Sequence, residues 1–207
     1  YNPKNGDARI SGTAASLAGI EAALEADEAD LLERAIARHL ALHAIVLSLD
    51  GIPVIYAGDE LALCNDYSYT AEPHLAGDNR WMHRPRITAE ARRARTRSGT
   101  VAHRVFGSIR SLLEVRRRTA ALRGNTLPQV IGGENPHLLS YLRVGPEGAS
   151  VLVVVNFDEV PHTVGRDVLD PAGFRQGSVD LAHDVVYGPG PFQLGPWEFV
   201  WLSRPSG

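Results

Sequence analysis

The residues of this chain best suited to chemistry lie in its loops. Asp59-Glu60 places two carboxylates at the end of a short apolar run, and Asp78-Asn79-Arg80-Trp81 places a guanidinium beside a carboxylate in an irregular stretch. A guanidinium held by a neighbouring carboxylate presents several donors to a sugar hydroxyl or to a catalytic carboxylate. The plain alternative is an arginine that pins its own loop. Arg9, after Asp7 and before the Ser11-Gly12 turn, has a similar setting, and pinning is the favoured reading there. Asp59 and Glu60 can be paired carboxylates, but adjacent residues at a strand end point in opposite directions. Capping or support of a neighbouring group suits them better.

Other reactive types are less informative. His39 and His43 have the i, i+4 spacing of helical metal ligands, but residue 40 is Leu where a zinc protease places its general-base Glu. Both fall on an apolar stripe, so they read as core histidines. Arg92, Arg93, Arg95 and Arg97 form a basic run that reads as a solvated or salt-bridged surface. Cys64 has no neighbouring cysteine, and nothing marks it as a nucleophile. There is no glycine-rich phosphate loop and no Gly-x-Ser-x-Gly elbow. Trp197, Phe199 and Trp201 alternate at strand spacing, which makes either a sugar-stacking platform or, more often, the inner face of a sandwich.

The elements that must position these groups follow from the pattern. Ser11 and Thr13 can cap a short helix reaching Leu24. A longer helix is predicted over 29–49, with Leu32, Ala35, Ile36, His39, Leu40, His43, Val46 and Leu47 on its buried face. Residues 52–57 form a short apolar run between Gly51 and Gly58, which reads as a strand buried on both faces. It hands Asp59 and Glu60 to a long loop over 58–98, and loops of that length inside a domain are usually functional. Another helix is predicted over 101–122, with Val105, Ile109, Leu112, Leu113 and Val115 on its apolar side and Arg116, Arg117 and Arg118 near its C-terminal end.

At Gly124 the texture changes. Short strands between Gly and Pro turns are predicted over 127–131, 138–144, 151–157, 162–164, 179–181, 184–187, 192–194 and 198–202, an antiparallel sandwich. The fold class is therefore α+β, with one domain over 1–122 and a β domain over 123–207. The 207 residues, 44% hydrophobic and 22% charged, are ordinary for a globular protein. A net charge of −3 argues against a general nucleic-acid binder, and no apolar run approaches membrane-spanning length. The polar start is no signal peptide, and without an initiator Met it reads as a chain cut upstream. Secreted or cytoplasmic placement stays open.

Gly51-Ile-Pro-Val-Ile-Tyr-Ala-Gly-Asp-Glu60 resembles the last barrel strand of the α-amylase superfamily of glycoside hydrolases and transglycosidases. Together with Tyr1-Asn2-Pro3, Gly6-Asp7-Ala8-Arg9-Ile10-Ser11-Gly12-Thr13 and Asp78-Asn79-Arg80-Trp81-Met82-His83-Arg84-Pro85, it is similar to the amylosucrase family, which makes α-1,4-glucan from sucrose and releases fructose. The resemblance implies that 1–122 is the end of a (β/α)₈ barrel with a remnant of an inserted subdomain, and that the rest is the C-terminal β domain. It implies a retaining mechanism in which a carboxylate nucleophile, a Glu acid and a stabilising Asp lie on earlier barrel strands. None of the three has a matching position here.

What carries over is Arg80, matching an Arg that shapes the donor glucosyl pocket, and Arg9, matching one on the acceptor side. Asp59 and Glu60 match the loop after the last strand, in a supporting role, with Asp78 beside Arg80. The substrates implied are sucrose and an α-glucan acceptor. Glucosyl transfer through a covalent intermediate needs no cofactor, and no ligand cluster here calls for the calcium found in many relatives. The chain alone is expected to be inactive, with exposed apolar edges that favour self-association. The rivals are a sucrose hydrolase, trehalose synthase or α-glucosidase of the same superfamily, a non-catalytic glucan-binding β module, and a purely structural domain. Exposure of Trp197 and Trp201 distinguishes the module.

Overall fold

Thr13 opens the helical part as its type predicts. Its hydroxyl accepts from the backbone N–H of Ser16 at 3.2 Å and caps α1, Ala14–Leu17. The single helix expected up to Leu24 is two pieces, because the chain turns through a left-handed Gly19 (φ 96°) before α2, Ile20–Ala26. The computed structural model describes Gly6, residues 11–123 and residues 126–204. The long helices are α3 (Ala29–Ser48) and α5 (Val101–Arg118). The irregular stretch between them holds 3-10 turns at Asp59–Leu61, Ser68–Ala71 and Asn79–Trp81, and then α4, Ala89–Ala94.

Ala35, Ile36, His39, His43 and Leu47 of α3 are buried, as are Val105, Ile109, Leu112 and Val115 of α5. Val46 and Leu113, expected on the same faces, are about 40% exposed, and Leu32 and Leu40 are half-buried. Each residue turns the helix by about 100°. Val46 next to Leu47 and Leu113 next to Leu112 are therefore rotated off the stripe.

The chain forms two compact units, Tyr1–Ile36 with Ile55–Phe106, and Ala37–Val54 with Gly107–Gly207. In the first, Glu33 of α3 takes a bidentate pair from Arg104 of α5. Asn65 ties the irregular stretch to the first helices. Its Oδ1 accepts from Thr13 N, its N–H donates to Ser16 Oγ and its Nδ2 donates to Glu21 Oε2, each at 2.9 Å.

The second unit carries the sheets. Its strands are β1 (Gln129–Val130), β2 (Leu138–Val144), β3 (Ser150–Asn156), β4 (His162–Val164), β5 (Ser178–Asp180), β6 (Val185–Tyr187), β7 (Phe192–Leu194) and β8 (Phe199–Ser203). They fall within a residue or two of the predicted runs. Six form one antiparallel sheet in the order β1-β2-β3-β8-β5-β6, and β4 pairs with β7 in a second. Alternation sends Leu152, Val154, Val200 and Leu202 to one face. There they meet Val164, Leu194, Phe174 and Val168 and Leu169 of α6 (Arg166–Leu169) in one core. This is the expected sandwich.

The opposite face presents Tyr141, Val153 and Trp201, which lie in register across β2, β3 and β8. Tyr141 Oη meets Ser48 Oγ of α3 at 2.7 Å, and burial pushes this phenol up to about 12. Beside it, two arginines close the C-terminal end of α3. Arg116 Nη1 donates to the carbonyls of Leu47 (2.6 Å) and Leu49 (2.9 Å), and its Nη2 donates to Gly51 (2.8 Å). Arg143, fully buried on β2, donates from Nη1 to Ser48 O at 2.9 Å. The last carbonyls of a helix have no partner within it, and cations suit the negative end of its dipole. Arg116 was expected to serve its own helix end; it serves that of α3.

The stretch leaving this clamp departs from expectation. Residues 52–57 join no ladder, and Ile52 (91%), Val54 (78%) and Tyr56 (54%) are exposed while Pro53 and Ile55 are half-buried. A strand buried on both faces needs partners in a sheet, as β3 and β8 have, and among the described residues no strand pairs with 52–57. The apolar sequence is present without the sheet that would bury it.

Candidate functional site

The run ends at Gly58, whose backbone takes φ 108°, a left-handed value that disfavours any residue with a Cβ. The turn it makes feeds the 3-10 segment Asp59–Leu61, and Glu60 Oε2 reaches back to accept from Gly58 N at 2.8 Å. Glu60 thus caps its own turn. Asp59 donates its backbone N–H to Tyr56 O at 3.0 Å and is half-buried. Among the described contacts no hydrogen bond joins the two side chains.

Arg80 sits in the 3-10 turn Asn79–Trp81 of the same unit, capped by Asp78. Asp78 Oδ1 accepts from the Arg80 backbone N–H at 3.0 Å and from Nε at 2.8 Å, while Oδ2 accepts from Nη2 at 2.7 Å. The two planar groups meet side by side, the strong geometry for a guanidinium and a carboxylate. These bonds hold the Asp78 carboxyl down at about 2. The Arg80 side chain is 68% exposed all the same. A carboxylate therefore fixes one edge of the guanidinium, and the rest faces solvent. That is a positioned donor group, oriented by its neighbour and open to a hydroxyl-rich ligand. Trp81, 37% exposed, lies alongside with Arg84 5.6 Å from its ring centroid.

Arg9, the other arginine singled out in the sequence, lies outside the described residues, as does Asp7. Asp66 joins the same surface: its backbone N–H donates to Met82 O at 2.8 Å, and its Oδ1 accepts from Ser68 N at 2.9 Å. Sequence reasoning missed Asn65 and Asp66, which tie 58–84 into a fixed loop. The only signal was the density of Asn, Asp and Tyr there, which does not say which side chain does the tying.

Elsewhere, His39 and His43 are buried, with ring centroids 4.4 Å apart and His43 Nδ1 2.8 Å from His39 O, as core histidines should be. Cys64 is half-buried, and burial, helped by Glu21, pushes its thiol up to about 11. Of the alternating aromatics, Phe199 and Trp201 are buried in the sheet. Trp197 is half-buried in the turn before β8, with Arg38 stacked 4.5 Å from its ring centroid and Phe157 edge-on. Trp201 is closed to sugar stacking.

No protein-family model matches the chain. Among solved structures it is similar to a pullulanase from Anoxybacillus sp. LM18-11, at TM-score 0.60 and 16% identity over 91% of this chain and 26% of that one. It is also similar to the isomaltulose synthase PalI from Klebsiella sp. LX3, at TM-score 0.53 and 19% identity over 81% of this chain and 38% of that one. A third neighbour is an AmyP variant in complex with maltotriose, at TM-score 0.61 and 18% identity over 86% and 39%. These neighbours are α-amylase superfamily members. The likeness is one of fold. The chain spans well under half the length of each.

Proposed function

We propose that this chain supplies part of a sucrose-acting glucosyltransferase of the amylosucrase type, which moves a glucosyl group to an α-1,4-glucan and releases fructose. The observation that carries the proposal is the Asp78–Arg80 pair, a solvent-facing guanidinium held along one edge in the block of sequence that resembles this family. In this reading Arg80 donates to hydroxyls of the donor glucosyl ring and Asp78 orients it. Asp59 and Glu60 support the preceding turn, and Arg9 serves the acceptor side. The chemical step belongs to carboxylates on elements outside these 207 residues. The functional division falls near residues 122–125. The exposed run of Ile52, Val54 and Tyr56 supports further strands, or a second copy, lying against it.

The test is fructose, glucose and glucan formation from sucrose, measured on the 207-residue chain and on any longer product of the same coding region. An inactive chain and a longer product that makes fructose and glucan, with Arg80→Ala raising the KM for sucrose at least 10-fold, is the expected result. Fructose and glucose in equal amounts without glucan moves the reading to a hydrolase of the same superfamily, which the neighbours' fold supports equally. Sucrose left untouched by both proteins overturns it.

A further inference from the structure

Three side chains converge at one end of the β sandwich, two of them four positions apart and the third on the far side of β2 and β3. His137 immediately precedes β2, His162 opens β4, and Asp158 lies in the loop joining β3 to β4. Asp158 Oδ2 is 2.8 Å from His162 Nε2 and 3.2 Å from His137 Nδ1. One ligand atom from each residue lies within 4.8 Å of the other two. The imidazoles stack at 4.9 Å with 7° between their planes, so both offer a ring nitrogen to the same carboxylate.

The frame is built and held. Asn156, fully buried at the end of β3, donates to the carbonyls of Val160 (2.8 Å), Leu194 (3.2 Å) and Gly195 (2.8 Å), and its Oδ1 accepts from Asp158 N at 3.0 Å. Asp158 Oδ1 is taken by Glu159 N, which leaves Oδ2 as the oxygen facing the rings. The Phe157 N–H donates to His137 O at 2.9 Å and fixes the other side.

We propose that His137, Asp158 and His162 form a binding site for a divalent borderline metal ion of the zinc class, which staples the β3–β4 loop to the start of β2. Two imidazoles and one carboxylate are a donor set that zinc, nickel and copper accept and that calcium and magnesium do not favour. With metal–ligand bonds of about 2.0–2.2 Å, ligands of a tetrahedral ion stand about 3.3–3.6 Å apart. The His137–Asp158 pair is close to that spacing, His162 must retreat by about half an ångström, and one of the two near-parallel rings must turn so that both lone pairs meet at the ion. Water completes the coordination on the exposed side of His137.

Proton placement gives the site a distinctive requirement. Asn135 Nδ2 lies 2.9 Å from His162 Nδ1 and donates to it, so the Nε2 proton points at Asp158. On binding, the metal takes the Nε2 lone pair and the proton moves to Nδ1, which then needs an acceptor. Asn135 Oδ1 already accepts from His137 N at 2.9 Å, so the asparagine must turn. Aspartate at 135 keeps that bond and also accepts from Nδ1–H, the carboxylate–histidine–metal arrangement that strengthens such sites.

The experiment is calorimetric titration of the full 207-residue chain with zinc chloride, beside His137→Gln, His162→Gln and Asn135→Asp, with ring ¹⁵N spectra recorded in parallel. One equivalent is expected in the wild type, with His137 and His162 as the histidines whose ring nitrogens shift. Each glutamine variant weakens binding at least about 10-fold, and Asn135→Asp tightens it by about 10-fold. His137 is half-exposed, so its variant folds. No uptake by the wild type overturns the proposal. So does binding unchanged in both glutamine variants, or zinc-dependent shifts confined to other histidines.

Discussion

Replacing Arg116 with methionine is the sharpest test of how the second unit holds the C-terminal end of α3. The substitution keeps the length of the stem and removes the guanidinium. Leu47 is fully buried, and its carbonyl has no solvent to turn to when the donor goes. A lost bond from a charged donor costs about 1.5–3 kcal/mol in that setting. The carbonyls of Leu49 and Gly51 lie nearer the surface, where water replaces part of the bond, at about 0.5–1.5 kcal/mol each. The expected loss is therefore about 2.5–6 kcal/mol. At about 2–4 °C per kcal/mol for a chain of this size, Tm falls by about 5–24 °C. Urea unfolding followed by far-UV circular dichroism reads the same loss as a lower midpoint at unchanged slope. Arg116→Lys is the control, because a single ammonium cannot fork to three carbonyls and should recover less than half. A methionine variant within about 1 kcal/mol of wild type, or a lysine variant equal to it, would show that the arginine decorates the helix end and does not hold it.

Further outcomes are expected. Fully buried Asp180 accepts from His183 Nδ1 at 2.6 Å, and this bond raises the pKa of the folded-state imidazole above its unfolded value near 6.5. The stabilisation is therefore complete below about pH 6.5 and disappears as pH rises through the folded value, so His183→Gln should flatten the stability profile across that window; an unchanged slope refutes it. A Cβ at Gly145 would lie 2.6 Å from Ala121 Cα, a backbone atom that cannot step aside, so Gly145→Ala should cost about 1–3 kcal/mol in urea. Gly132→Ala, with open space around it, should stay within about 0.5 kcal/mol, and equal effects at the two sites would sink the steric account. With its thiol near 11, Cys64 should react with iodoacetamide at pH 8 on the order of 100-fold more slowly than a free thiol, and a rate matching glutathione would contradict the burial.

The β half was legible because each strand carries its own punctuation. Turn residues at Gly132-Gly133, Gly145-Pro146 and Gly195-Pro196 bracket runs whose alternation is local, and the strands appear where those runs are. Residues 52–57 show the opposite. Their apolar run is a statement about neighbours, and burial on both faces depends on partner strands, none of which pairs with it among the described residues. Arg116 and Arg143 were opaque for a related reason, since the α3 carbonyls they close lie 65 or more positions away and carbonyls leave no mark in a sequence. At the candidate site, Asp78 and Arg80 were readable because they are two residues apart. The approach of His137 to Asp158 and His162 was not, because it depends on the register of β2 against β3.

The placement of the tryptophans has a practical consequence. Trp81, in the first unit, is open to water, whereas Trp197 and Trp201 belong to the second, the one beneath a guanidinium and the other sealed in the sheet. Their emission should differ accordingly, red for Trp81 and blue for Trp201, with a soluble quencher reaching the former long before the latter. A melt recorded at the two ends of the emission band would then follow each unit in its own colour. It would reveal whether the chain comes apart in one step or two, with no label added.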